Sequence, residues 1–348
     1  MDKPENKYDL TKSALARQNV LNNRVALDVI QQEVGIRGVL FEQSYRFVKK
    51  QIADFYNVTE RTIEGCLEKH EKELAHNGYE VLKGKRLIDF KFAASESDVP
   101  EIDFGNKAPQ LGVFDFRAFL NIAMLLTDSE NARILRSRIL DIVISVINQR
   151  CGGSTKYINQ RDEDFINNML RGEDYRKEFT DALRDCVDMG NLKYVIYTNK
   201  IYVSIFNEDA AEYRKILQLE KKENVRDTMY SEVLDIISSY ETGFAEELRK
   251  AVKAKGRKLT SAETDSLFAE FESKQLWKPL REKARTKMAS RDHCFRDALH
   301  ENLKEYIGAV PPSDFDRFLG EKSKELTQRI EEYREGLKQL TEKATDEQ

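Results

Sequence analysis

Cysteine is scarce in this chain of 348 residues: there are four, Cys66, Cys151, Cys186 and Cys294. They lie too far apart for a Cys-x-x-Cys site and are too few to staple a chain of this length, so they are expected as reduced, buried thiols. Glycine and proline are also sparse, at 16 and 6 residues, while 34 % of the chain is charged and 40 % hydrophobic. That balance disfavours a sandwich, a barrel or a collagen-like chain and favours charged-surface helices. Long apolar runs are missing. Ile142 to Ile144, resumed at Val146 and Ile147, falls far short of the ~20 residues that cross a bilayer, so no membrane association is expected. The opening Met1-Asp2-Lys3-Pro4-Glu5-Asn6-Lys7 lacks the apolar core of a secretory signal, which makes the cytoplasm the expected location. A strong excess of either charge is absent as well: the net charge is −4, so any nucleic-acid surface must be local.

Catalytic signatures are missing too. The sequence has no Gly-x-x-x-x-Gly-Lys-Ser/Thr, Gly-x-Gly-x-x-Gly, His-Glu-x-x-His or Gly-x-Ser-x-Gly, and the four histidines, His70, His76, His293 and His300, show no zinc spacing. Neither a cofactor, a metal nor an enzymatic activity is expected. Carboxylate pairs such as Asp162 and Asp164 are the ordinary product of charged helices, although a metal-dependent nuclease built on scattered carboxylates is a third reading.

What is present begins with helical spacing over residues 9 to 33, through Leu10, Ala14, Leu21, Val25, Val29 and Ile30, ending near Gly35. The most informative stretch follows. Ile52 and Ala53 place an apolar and a small residue on a short helix, the small one allowing a second helix to cross closely. Asn57 suits a left-handed turn residue, Val58 plugs the turn, and Thr59 is an N-cap for a helix whose Ile63 and Leu67 share an inward face. The unit is helix, turn, helix.

The segment Gln51-Ile52-Ala53-Asp54-Phe55-Tyr56-Asn57-Val58-Thr59-Glu60-Arg61-Thr62-Ile63 resembles the helix-turn-helix signature of prokaryotic and phage DNA-binding regulators. Two alternating apolar segments after it, Gly78 to Leu82 and Leu87 to Phe92, flank Lys83-Gly84-Lys85 and predict a β-hairpin, similar to the wing of winged helix-turn-helix domains. The resemblance is limited to about residues 38–92. It implies that Lys49, Lys50, Thr59, Arg61 and Thr62 face DNA, and that Lys83, Lys85 and Arg86 contact phosphates from the hairpin tip. Against it stand Glu60, Glu64, Glu68, Glu71 and Glu73, and Gly65, which costs about 1 kcal/mol of helix propensity relative to Ala. Residues 34 to 92 carry 11 Lys/Arg against 9 Asp/Glu.

A loop rich in helix breakers separates Phe92 from Gln110. Beyond it the apolar run Val113 to Leu125 is followed by Thr127 and Glu130, which predict a capping box for a long helix to about Arg150, with Arg133, Arg136 and Arg138 near its start. Residues 160 to 189 are helical by spacing. Tyr194 to Tyr197 and Ile201 to Phe206, joined by Thr198-Asn199-Lys200, predict a second hairpin, with Tyr194, Tyr197, Tyr202 and Tyr213 as strand residues rather than base-stacking platforms. Arg249, Lys250, Lys253, Lys255, Arg257 and Lys258 form the densest basic patch. Thr260 and Glu263 predict another capping box, and Pro279 a helix stop or kink. A last helix, capped by Ser313, runs to about Lys343 with Leu319, Leu326, Tyr333 and Leu340 in heptad register and Ile330 and Leu337 between. That seam would serve self-association as a homodimer or packing on the chain's own body.

The expected fold is therefore mostly α with two short β-hairpins: an N-terminal helix plus winged helix-turn-helix over 1–94, an α-rich domain with a β-hairpin over 110–206, a helical region over 207–348, and a long C-terminal helix. The expected function is that of a DNA-binding transcriptional regulator acting on double-stranded DNA, of the kind carried by phages, mobile elements or toxin–antitoxin loci. The alternative is a helical adaptor that binds a partner protein and no DNA.

Overall fold

The structure, a computed structural model, describes residues 9–97, 99 and 108–320. These fall into two compact units, one within Met1–Gln149 and Pro311–Asp316, the other within Arg150–Val310 and Arg317–Gln348. The first unit opens with α1 (Ala14–Asn22) and α2 (Arg24–Val34). Asn23, between them, breaks what the spacing suggested was one helix: its Oδ1 accepts from the Ala26 backbone N–H and caps α2. Strands β1 (Val39–Phe41) and β2 (Ser44–Val48) then form a hairpin whose turn, Glu42-Gln43, has both residues left-handed at φ 49° and 65°. Helices α3 (Lys49–Tyr56) and α4 (Glu60–His76) follow, then β3 (Tyr79–Lys83), α5 (Gly84–Ser95), β4 (Gln110–Phe114), α6 (Phe116–Leu125) and α7 (Glu130–Arg150).

The four strands make one antiparallel sheet in the order β1-β2-β4-β3. Side chains that alternate along the strands enter two cores. Phe47 and Phe114 pack with the helices, among Ile52, Ile63, Phe119 and Ile139; Val48, Val113 and Leu82 pack with Leu87 and Phe90 of α5 on the other face. The hairpin expected over 78–92 is absent. Tyr79–Lys83 is a strand, but its partner is Gln110–Phe114, and Leu87 to Phe92 lie on a helix that covers the sheet. Gly78, at φ 101°, makes the entry to β3, and a Cβ there would sit 2.0 Å from the Asp115 carboxylate that caps α6. The loop expected to divide domains near 94–110 falls largely outside the described residues, but α5 before it and β4 after it belong to this one unit, β4 being central in the sheet. The long α7 begins as expected, with its cap at Ser129, whose Oγ accepts from Ala132 N–H, rather than at Thr127.

In the second unit, α8 (Phe165–Cys186) and α11 (Ser231–Lys255) are the longest elements. Their contacts rise together, from Asn168 with Ser231 to Phe179 with Phe244, so they run parallel. Parallel helices need a returning element between them. It is α9 (Leu192–Phe206), whose Tyr197 meets Phe244 and whose Ser204 meets Tyr240, followed by α10 (Ala210–Ile216). The second hairpin is therefore a helix. Tyr197, Ile201, Tyr202 and Phe206 face inward, while Leu192, Val195 and Val203 remain exposed on the other side. Tyr213 is buried too. Helix α12 (Ser261–Ser273) has the expected Thr260–Glu263 capping box. Pro279 neither stops nor kinks a helix: it is in the first turn of α13 (Trp277–Arg291), where its missing N–H has no intrahelical acceptor to lose. The last described helix, α14 (Pro312–Leu319), is divided between the units, its residues to Asp316 counted with the first, and it ends at the buried Leu319. Leu326, Ile330, Tyr333, Leu337 and Leu340, the rest of the heptad register, lie outside the described residues. Among the described residues no helix is long and apolar enough to cross a membrane.

Buried charge is concentrated in this second unit. His300 lies between two carboxylates, Nδ1 2.8 Å from Glu208 Oε2 and Nε2 2.7 Å from Asp292 Oδ2. Carboxylate oxygens only accept, so both ring nitrogens donate and the ring is an imidazolium. Burial alone would lower its pKa; hydrogen bonds to Asp292 and Glu208 outweigh that and hold it up at about 9. Because the folded value lies above the ordinary 6.5, the stabilisation is complete below that pH and lost as pH rises through 9. Urea unfolding across this interval should show the midpoint falling in the wild type and a flatter profile in His300→Gln; a level wild-type profile would refute the assignment.

Candidate nucleic-acid interface

The turn between α3 and α4 is built as its residues dictate. Asn57 is left-handed at φ 51°, ψ 50°, and the Val58 N–H donates to Ala53 O at 2.9 Å, closing α3. Ile52 and Ala53 are buried, with Ile63 and Cys66 of α4 in the same core. Val58 and Leu67 are half-buried against that cluster. Thr59 caps α4: its Oγ1 accepts from Thr62 N–H at 3.2 Å and meets Thr62 Oγ1 at 2.9 Å. Both hydroxyls therefore serve the cap. Farther along, α4 bends at His70, and Glu73 pairs bidentately with the buried Arg17 of α1.

The outward surface of α4 divides by charge. At 3.6 residues per turn, Arg61, Gly65 and Lys69 fall in one row, with Lys72 and His76 continuing it past the bend; Glu60, Glu64, Glu68 and Glu71 fall in a second row. All of the charged members are exposed. The acidic row is partly neutralised from α3: Lys49 Nζ lies 3.2 Å from Glu60 Oε2 and 2.5 Å from Glu64 Oε1. Its hydrogen bond to Glu64 raises the lysine's pKa and lowers that of the glutamate. Arg61, Lys69 and Lys72, by contrast, form no ion pair among the described residues.

The remaining residues singled out from sequence are scattered differently. Lys50 is exposed at the start of α3. Lys83 ends β3 and Lys85 is in the first turn of α5, both exposed and without ion pairs among the described residues; neither is at a hairpin tip. Arg86 is engaged by two carboxylates, its Nε and Nη2 donating to Glu42 at 3.0 and 2.5 Å and its Nη1 to Glu80 at 2.9 Å. It braces the β1–β2 turn against β3. Sequence reasoning missed Lys69 and Lys72 because the glutamates of α4 were counted and not assigned to faces; a helical projection of residues 60–76 carries the signal.

Other basic clusters carry less free charge. Arg133 pairs with Glu130, Arg138 with Glu33, and Arg136 donates to the carbonyls of Ala123 and Leu126 at the end of α6. In the patch from Arg249 to Lys258, Arg249 pairs with Glu178, Lys250 with Glu246, and Lys255 and Arg257 with Glu263. A cleft of about 350 Å³ in the second unit is lined by Arg176, Arg214, Arg226, Glu173 and Asp227, but Arg176 and Arg226 both hold the buried Glu241. Among the described residues no group of three or more His, Cys, Asp or Glu side chains is arranged to hold a metal ion. Asp162, once paired in sequence with Asp164, is buried and accepts from Ser231 and Arg317. Two of the four thiols, Cys66 and Cys186, are buried as expected, and burial pushes the Cys66 thiol up to about 11; Cys151 and Cys294 are only half-buried.

No protein-family model, curated protein or solved structure matches the chain. The local geometry therefore stands on its own chemistry. Thr59→Ala should cost about 1 kcal/mol of unfolding free energy by removing the α4 cap, and Thr59→Ser should restore most of it; equal stability of the alanine variant in urea unfolding would refute the role of the cap.

Proposed function

We propose that the first unit binds double-stranded DNA, with α4 as the helix laid in the major groove and its Arg61–Lys69–Lys72 row against the phosphates. The observation that carries the reading is the division of the α4 surface: three cations without ion pairs among the described residues form one row, while the carboxylates form another and two of them are held by Lys49. A phosphate backbone attracts unpaired Lys and Arg and is repelled by free carboxylates, so only one side of this helix suits it.

The order of elements agrees with that reading. Strand β2 precedes the two helices, β3 and β4 follow them, and β4 lies between β2 and β3. In the winged helix-turn-helix resemblance, β3–β4 corresponds to the wing, enlarged here by α5, with Lys83 and Lys85 at its far end as additional phosphate contacts. Arg61 and Thr62, near the N-terminus of α4, are the side chains nearest base edges in such a docking. Regulation of transcription is the use to which such a unit would be put.

The alternative, a protein–protein adaptor, draws on the exposed Leu192, Val195 and Val203 of α9. A salt titration against random-sequence duplex separates the two. Wild-type affinity should fall steeply with salt, and Arg61→Ala, Lys69→Ala and Lys72→Ala should each reduce the log–log slope by about 1. Arg86→Ala, which removes a brace rather than a contact, should leave the slope unchanged. No wild-type binding at low salt would overturn the proposal and favour the adaptor.

A further inference from the structure

Gly65 is helical, exposed in part, and in the interior of α4. Glycine weakens a helix interior because it loses more backbone freedom on folding than any other residue. Such a residue is retained without loss only where the chain needs a positive φ or where a neighbour fills the space of a Cβ. Neither condition holds. Its φ is not positive, and beyond the neighbouring backbone of α4 itself a Cβ built at Gly65 meets no atom of the described residues within 4 Å. Gly78 of the same unit is the contrast, with its φ of 101° and the Asp115 carboxylate in the way.

Among the described residues nothing uses the missing side chain, which points to a use outside them. Gly65 occupies the middle of the basic row, one helical turn from Arg61 on one side and from Lys69 on the other. We infer that Gly65 is the close-approach point of α4, where the helix backbone lies directly against a duplex wall and lets the flanking Arg61 and Lys69 reach phosphates on either side. The inference rests on the DNA-binding reading and names the residue that sets how deeply the helix sits. In this arrangement the side chain at position 65 acts by its bulk alone. Adding even a methyl group lifts the helix and lengthens both flanking contacts at once.

The test uses the full chain and a labelled random-sequence duplex, with three proteins compared at one salt concentration. Gly65→Ala improves helix propensity, so folding failure does not confound it: its Tm should rise by about 2–4 °C. Its affinity should nevertheless fall by about tenfold. Ala75→Leu adds greater bulk to an exposed position on the acidic side of α4 and should bind within about twofold of wild type. Stabilisation together with weakened binding, confined to position 65, supports the inference. Wild-type binding that Gly65→Ala matches overturns it while leaving the DNA-binding reading intact. Equal weakening by Ala75→Leu also overturns it, since bulk anywhere on the helix would then suffice. Absence of wild-type binding overturns both.

Discussion

The first unit depends on one buried tyrosine. Tyr56, the last residue of α3, is fully buried, stacks on Phe119 of α6 with ring centroids 5.0 Å apart, and donates its hydroxyl to the Phe119 carbonyl at 2.9 Å. Its own carbonyl accepts from Ser129 Oγ at 2.6 Å, and that same oxygen caps α7. A polar atom so deeply buried costs free energy unless it is bonded, and here each finds a partner on a different helix. The end of α3 is thereby fixed to α6 and α7, and the following Asn57 must reverse the chain where it does. The direction in which α4 leaves the turn is a consequence of that anchorage.

With its direction fixed, α4 has one face for the core and one for solvent, and the arrangement of charge on the outer face decides what it can meet. Summed along the helix, five glutamates outweigh one arginine and two lysines. Distributed around the axis, the cations still hold a row of their own. Lys49 adds to the asymmetry because it reaches across from α3 to the acidic side and not to the basic one. Arg17 acts from beneath, holding Glu73 in a bidentate pair where that carboxylate would otherwise be buried without a partner. The carboxylates that look adverse in a linear count are thus partly engaged in structure.

This distinction also explains how far the sequence could be read. The two helices α3 and α4 and the turn between them were legible because each signal is local: a small residue for the crossing, Asn57 for the left-handed turn, and Thr59 for the cap. The strand at Tyr79–Lys83 was legible by alternation, but its partner at Gln110–Phe114 lies beyond a helix, and no local pattern specifies a pairing across that separation. Gly84 encouraged the misreading, since its left-handed φ of 53° suits a hairpin turn as well as the start of α5. Residues 192–206 failed for another reason. They are rich in β-branched residues and tyrosine, and apolar on both the buried and exposed sides, so the period of 3.6 is blurred and propensity alone favours strands. Tertiary packing between α8 and α11 overrode that preference.

Basic residues illustrate the same limit from the side of function. By density the patch from Arg249 to Lys258 exceeds anything in α4, yet four of its cations are paired with carboxylates from α8, α11 and α12. The three cations of the α4 row are fewer and farther apart in sequence, and none of the three has such a partner among the described residues. Ion pairing is a property of the folded chain, settled by which carboxylates the helices bring within reach. A phosphate competes with those carboxylates for each guanidinium or ammonium group, so a paired cation contributes less to binding than an unpaired one. For recognition of an anion, availability of charge therefore outranks its density, and in this protein the two point to different helices.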